Sequence, residues 1–293
     1  MALTLITTAL GNVGKHVVRA CQEQGLALRL ADRKPAACKA RYPQHEAAAL
    51  DFTDPSTWEP AVRGCDHVFL LRPPPIGDME RTLNPFIEAA YASGVKHIVF
   101  LSVAGADRMK WVPHHKVERK LAECGKSYTL LRPGFFAQNL QDAYLRDIKE
   151  DNRIYVPAGG GKIAFLDVYD VGDVAARVFN APNAFVGKAL HLTGPEAVTF
   201  FDVAQMLSSR LGRVITYRPA SIPGYAWHLR RKRRMPWTQI LVQTILHVGL
   251  RRGDAEMVSP VVQDILGRAP RSLGTSIDSA LDLWKPTASQ LAR

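Results

Sequence analysis

LTLITTALGNVGKHVVRACQEQGLALRLADRK, residues 3–34, reads as strand, glycine turn, helix and second strand in close succession. Leu3–Thr7 (LTLIT) is a short apolar run of the kind a buried strand needs. Residues 12–25 carry apolar side chains at helical spacing and stop at Gly25, and LALRLAD, Leu26–Asp32, is strand-like again. The joint between the first two elements is TTALGNVGKH, Thr7–His16. It keeps Gly11 and Gly14 at the head of the helix but has Thr8 where a phosphate-cradling turn ordinarily carries its first glycine.

The alternation continues outward. HVFLL (His67–Leu71) and HIVFLS (His97–Ser102) are further apolar strands, the second reached through the helical NPFIEAAYASG, which ends at Gly94. Strands separated by helices imply a parallel sheet covered on both faces. The predicted fold is therefore α/β, a Rossmann-type doubly wound parallel sheet with a smaller C-terminal α/β domain. Ligands of such sheets sit at the carboxyl ends of the strands. There, backbone N–H groups at Gly11–Gly14 and the helix dipole suit a pyrophosphate. Asp32 at the tip of the second strand could accept from an adenosine ribose, and Arg33 and Lys34 could pair with a 2′-phosphate. Asp51 and Phe52 follow a short apolar stretch where they could meet an adenine.

Composition narrows the classes. The 293 residues are 47% hydrophobic and 22% charged, which suits a soluble globular chain with a full core. Cys21, Cys38, Cys65 and Cys124 lie far apart without CxxC spacing or a neighbouring His cluster, so a reducing cytoplasmic setting is expected and a metal is not. The apolar N-terminus lacks a basic leader, and no run approaches a membrane span. A net charge of +11 raises polyanions as partners, and much of it is local. LRRKRR, Leu229–Arg234, precedes the mostly apolar WTQILVQTILHVGL, Trp237–Leu250, and then Arg251 and Arg252. Two readings stay open: a helix covering an apolar pocket with solvated arginines at its ends, or a basic helix on a membrane or nucleic acid. No nucleic-acid-binding motif is present, and nucleic acid is not expected.

Five segments carry a family likeness: TTALGNVGKHVV, DFTDP, GVKHIVFLSV, HHKVERKLAECGKSYTLLRPGFFAQNL and LTGPEAVTFFDVAQMLSSRLGRVITY. Together they resemble the atypical short-chain dehydrogenase/reductases, in the NmrA-like branch that holds triphenylmethane reductase, a related NAD(P)H:quinone oxidoreductase and the ergot-alkaloid reductases. The likeness runs from Leu3 to about Tyr217 and is most specific in LLRPGFFAQNL and LTGPE. It implies that Thr8, Ala9, Leu10, Gly11, Asn12, Val13 and Gly14 line the pyrophosphate. Arg33 would tilt the cofactor toward NADP(H), with Asp32 keeping NAD(H) open. Asp51 and Phe52 would flank the adenine, and Leu71, Arg72 and Pro73 the ribose. Pro133 and Phe135 would lie beneath the nicotinamide, with Phe136, Asn139 and Trp111 toward a substrate.

The Tyr-x-x-x-Lys pair of the main dehydrogenase branch is absent, because Lys116 is preceded by Val112 four positions earlier. Ser102 is left as a polarising hydroxyl or a strand cap. His114 is left as a proton donor, with an ordinary pKa suited to neutral pH, or as a surface residue at the head of the helix VERKLAEC. The expected domains are residues 1–132 with 163–191, binding the dinucleotide, and 133–162 with 192–293, binding substrate. Asp167, Asp170 and Asp173 read as structural. The function implied is an NAD(P)H-dependent reductase of an apolar aromatic or conjugated small molecule such as a quinone, dye or imine, acting as monomer or homodimer. The alternative is a dinucleotide-binding redox sensor without turnover.

Overall fold

The computed structural model describes residues 2–285; Met1 and residues 286–293, which the sequence reading assigned to the first and second domains, lie outside them. The chain divides into two compact units. The first takes the chain up to Pro133 with Val168–Leu192 and Val261–Arg268. The second takes Gly134–Asp167, Thr193–Pro260 and the chain from Ala269.

The first unit contains β1 (Leu3–Thr7), α1 (Gly14–Glu23), β2 (Ala27–Asp32), α2 (Pro35–Arg41), β3 (Glu46–Ala49), α3 (Trp58–Val62), β4 (His67–Leu71), α4 (Leu83–Ala92), β5 (His97–Leu101), α5 (Pro113–Glu123) and β6 (Ser127–Pro133). The chain later returns to it as α7 (Val168–Asn180), β9 (Ala189–Leu192) and α11 (Val261–Leu266). One seven-stranded parallel sheet runs in the order β3-β2-β1-β4-β5-β6-β9. The strand order reverses between β1 and β4, which puts the ligand crevice of such a sheet at their carboxyl ends. At that point the Thr7 hydroxyl donates to the Phe69 carbonyl (2.9 Å) and accepts from the Leu71 N–H (3.0 Å), tying β1 to β4 where the crevice opens.

Two details depart from the pattern reading. β3 is an extra strand, so HVFLL is the fourth and not the third; Glu46–Ala49 (EAAA) has no large apolar side chain to announce it and is held only by pairing with β2. The returning segment begins at Val168 and not at residue 163, because Ile163 pairs with Val198 in the second unit. Asp170 and Asp173 are ion-paired to Arg268, which draws α11 into the first unit.

The second unit contains α6 (Leu145–Asp151), β7 (Arg153–Ile154), β8 (Lys162–Ile163), β10 (Val198–Thr199), α8 (Phe200–Leu211), β11 (Thr216–Tyr217), α9 (Ile222–Arg231), α10 (Trp237–Arg251) and α12 (Leu273–Asp278). Two small sheets, β10-β8 and β11-β7, hold it, with Phe165, Phe200, Tyr225 and Trp284 buried in its core. Among the described residues no helix is long and apolar enough to cross a membrane, and no His/Cys/Asp/Glu cluster could hold a metal.

Candidate active site

The turn after β1 is shaped by its backbone. Thr8 has φ +54°, the left-handed region that glycine enters freely and a β-branched residue enters at a cost of about 1–3 kcal/mol. The chain nevertheless follows the path of a glycine turn: the Thr8 carbonyl accepts from the Gly11 N–H at 3.0 Å and faces the first residue of α1. A Cβ on Gly14 would lie 2.1 Å from that carbonyl oxygen, so only glycine permits the helix to start this close to the strand. Thr8 thus supplies the conformation and Gly14 the room. Sequence reading saw the substitution at Thr8 but not its φ.

The helix end so placed has no cap of its own. Val13 at the N-cap makes no side-chain cap hydrogen bond, and no acidic residue occupies the first turn of α1. The Lys15, His16 and Val17 N–H groups are answered by the Gly11 and Val13 carbonyls, and the positive end of the helix dipole favours an anion. A dinucleotide pyrophosphate matches this cradle in charge and in the room left by Gly14, so the residues present fit the cofactor that the sequence implied.

The tips of β2 and β3 add a second pole. Asp32 Oδ1 accepts from the Lys34 N–H (3.2 Å), leaving Arg33 exposed beyond it. Asp51 Oδ1 accepts from the Thr53 N–H and hydroxyl (2.8 and 2.7 Å), which holds its carboxyl below the usual range, with the Arg33 charge adding to the effect. Phe52 is buried, its ring edge-on to Phe86 at 5.1 Å in the core that also holds Trp58 and Leu83.

After β4, Arg72 is spent on the loop itself, donating to the carbonyls of Pro73 (3.2 Å), Pro74 (3.1 Å) and Ile76 (2.6 Å). Its Nε also faces His114 Nε2 at 3.4 Å. Arg72 can only donate, so His114 accepts on Nε2 and carries its proton on Nδ1. Burial, with the Arg72 charge beside it, pushes the His114 pKa down to about 3. The expectation of an ordinary histidine titrating near neutrality is corrected: the imidazole is neutral at pH 7. His114 also lies within α5, which starts at Pro113, and not ahead of a helix beginning at Val117.

Ser102 is committed elsewhere. Its hydroxyl donates to Glu118 Oε1 at 2.5 Å, and Glu118 is bound by Arg132 through Nε (3.0 Å) and Nη2 (2.6 Å), all three being buried. In this arrangement the Ser102 hydroxyl proton is turned to the Glu118 carboxylate. Glu118 and Arg132 form the one buried ion pair between β6 and α5 among the described residues, and nothing in the HHKVERKL pattern singled out Glu118 from its exposed neighbours.

Pro133 ends β6, buried, in the first unit. Phe135, Phe136 and Asn139 fall in the second unit, where Phe135 packs against Phe165 at 5.6 Å while Phe136 and Asn139 are half-buried. Trp111 is 69% exposed. Leu10 and Gly11 are half-buried, Asn12 exposed and Val13 buried along the turn.

Comparison with known proteins agrees with this geometry. The NmrA-like family pattern matches residues 2–228. The chain is 31% identical over 222 residues to the NAD(P)H azoreductase of Xenophilus azovorans, covering 73% of this chain and 76% of that protein. It is 28% identical over 292 residues to the agroclavine dehydrogenase of Claviceps fusiformis, covering 96% and 98%. Among solved structures, the NADPH-dependent quinone oxidoreductase QOR2 of Escherichia coli, complexed with NADPH, superimposes with a TM-score of 0.86 at 26% identity, covering 95% of this chain and 99% of that one. A glycine-paced turn, an uncapped helix over a 3-2-1-4-5-6 sheet core and these likenesses converge: the chain belongs to the NmrA-like family.

Proposed function

We propose that this chain is an NAD(P)H-dependent oxidoreductase that reduces an apolar aromatic or conjugated acceptor, such as a quinone, dye or imine, by direct hydride transfer, with NADPH as the preferred donor. The observation that carries the reading is the α1 N-terminus, left uncapped behind the strained Thr8 turn and opened by Gly14. Arg33 beside Asp51 supplies the positive charge that a 2′-phosphate would use. The names of the azoreductase and quinone oxidoreductase relatives support the acceptor class. When bound, the nicotinamide supplies the hydride.

The protein's own part is placement and dryness. Arg72 holds the loop after β4 against three carbonyls. His114, neutral with its proton on Nδ1, offers a hydrogen-bond donor that can polarise an acceptor without delivering a proton from an imidazolium. The accompanying proton then comes from water. Phe136 and Asn139 are the proposed acceptor contacts.

NADPH oxidation measured across quinones, triarylmethane dyes and cyclic iminium compounds tests the proposal. Turnover with at least one class, with a rate flat from pH 6 to 8 as far as His114 is concerned, is the expected result. His114→Ala should lower turnover about tenfold while leaving cofactor affinity within twofold. Micromolar NADPH binding with no turnover on any class would overturn the enzyme reading in favour of a redox sensor.

A further inference from the structure

The basic run and the apolar helix that follows it are not absorbed by a reductase site. α10 buries only one stripe, Ile240, His247 and Leu250. Its opposite face is apolar and open to solvent: Trp237 is 62% exposed, Leu241 61%, Val242 62%, Ile245 47% and Leu246 45%. Trp237, Leu241 and Ile245 follow one another at helical spacing along that face, and the exposed Arg252 stands just past its end. The reading of this helix as the cover of an apolar pocket therefore accounts for one stripe and leaves the broader face unexplained.

The arginines ahead of it are sorted by the fold. Arg233 turns inward to Asp147, Glu150 and Asp151. Arg230, Arg231, Lys232 and Arg234 stay exposed and take no part in any salt bridge among the described residues. Arg234 has φ +56°, a left-handed kink that lets the chain reverse before α10. The result is a concavity of about 570 Å³ lined by Arg230, Arg231, Arg234 and Trp237, with the Arg230 guanidinium 5.7 Å from the Trp237 ring centre. Exposed Trp227, three residues before Arg230 on α9, adds a second indole to the same turn.

We propose that this surface docks the protein on an anionic phospholipid bilayer, the arginine concavity taking lipid phosphates and the exposed face of α10 entering the headgroup–acyl boundary. An apolar helix face bounded by cations, with tryptophans at the polar edge, is the pattern of a helix that lies in a membrane interface. Charge decides against the other occupants. A second copy seated antiparallel on α10 would set the Arg230–Arg234 cluster against Arg251 and Arg252 of its partner, like charge on like. A nucleic acid would satisfy the arginines but leave Leu241, Val242, Ile245 and Leu246 in water.

The full chain, mixed with vesicles of phosphatidylcholine alone or of equal parts phosphatidylglycerol and phosphatidylcholine, tests the proposal by cosedimentation in about 0.1 M salt, where exposed charges are partly screened. Binding to the phosphatidylglycerol vesicles only is expected. Neutralising Arg230→Gln, Arg231→Gln and Arg234→Gln together should weaken it about a hundredfold, at roughly fivefold per basic residue near an anionic surface. Leu241→Ser with Ile245→Ser should weaken it at least tenfold, with thermal unfolding unchanged because both side chains are exposed. Lipid brominated in its acyl chains should quench the parent's tryptophan emission more than that of Trp237→Phe. Failure to bind the phosphatidylglycerol vesicles overturns the proposal. So does binding that survives Leu241→Ser with Ile245→Ser and shows no bromolipid quenching, which is polyanion attraction alone. A dimer in sedimentation equilibrium that dissociates with Leu241→Ser and Ile245→Ser, without vesicle binding, would assign the face to a second copy. None of these readouts depends on turnover.

Discussion

Two helix beginnings in this molecule solve the same problem in opposite ways. At α8, Thr199 accepts from the Asp202 N–H (3.2 Å) while the Asp202 carboxylate accepts from the Thr199 N–H (2.8 Å) and hydroxyl (2.7 Å), a complete capping box with an acid in the first turn. At α1 there is neither cap nor acid, and the approach to the helix runs through a left-handed threonine. A closed helix end needs nothing more from outside. An end with neither side-chain cap nor acid keeps its dipole available to an anion, and on that difference we propose α1 as the binding terminus.

The largest expected break in this contrast is Gly14→Ala. Its methyl would meet the Thr8 carbonyl oxygen at 2.1 Å, so the helix must back away. NADPH affinity measured by calorimetry should fall at least a hundredfold, with stability down by about 1–3 kcal/mol from overpacking. Affinity within threefold of the parent would show that the turn is not the site.

Next in size is an acid effect that spares the two helix ends. Burial lowers the pKa of His97 to about 4, of His114 to about 3 and of His247 to about 4, so the folded chain resists protons that the unfolded chain accepts near its ordinary value of 6.5. Stability is therefore full above pH 6.5 and is lost as pH falls toward 4, each histidine contributing up to about 1.4 kcal/mol per pH unit in that window. Urea unfolding at pH 7 and pH 5 checks it, and equal midpoints would contradict the burial of these rings.

Arg33→Gln should raise the NADPH Kd about tenfold and leave that of NADH within twofold, as expected for loss of one charge-assisted contact. Equal loss for both nucleotides would remove Arg33 from 2′-phosphate recognition. Thr199→Ala sharpens the comparison from the closed side: about 1 kcal/mol of stability lost and NADPH binding unchanged. The smallest effect is expected for Thr8→Gly, where relief of the left-handed φ is largely offset by the entropy of the added glycine, giving a net gain under about 1 kcal/mol with the cofactor still bound.

Much of the first unit was legible in order. LTLIT, HVFLL and HIVFLS are apolar runs of strand length, and Gly25 and Gly94 mark where helices stop, both at positive φ. The four-residue EAAA strand was not, since alanines beside a glutamate carry no period. Within the candidate site, Gly11, Gly14, Arg33 and Asp51 could be proposed from the sequence because the motif is local. The fates of Phe52, Ser102 and His114 could not, because each is set by a residue 16 to 42 positions away: Phe86 under Phe52 at 5.1 Å, Glu118 holding the Ser102 proton at 2.5 Å, Arg72 beside His114 at 3.4 Å.

By itself the sequence determined the alternation of strand and helix, the glycine turn, the family likeness and the basic run before an apolar helix. Those are properties of neighbours along the chain, written in period and in local backbone freedom. The tertiary structure alone decided that Thr8 would adopt a glycine's φ, that the Ser102 proton would go to Glu118, that His114 would be neutral, and that α10 would bury one stripe and present the other. Each of these depends on burial and on partners distant in sequence, and desolvation acts on what surrounds a group in space.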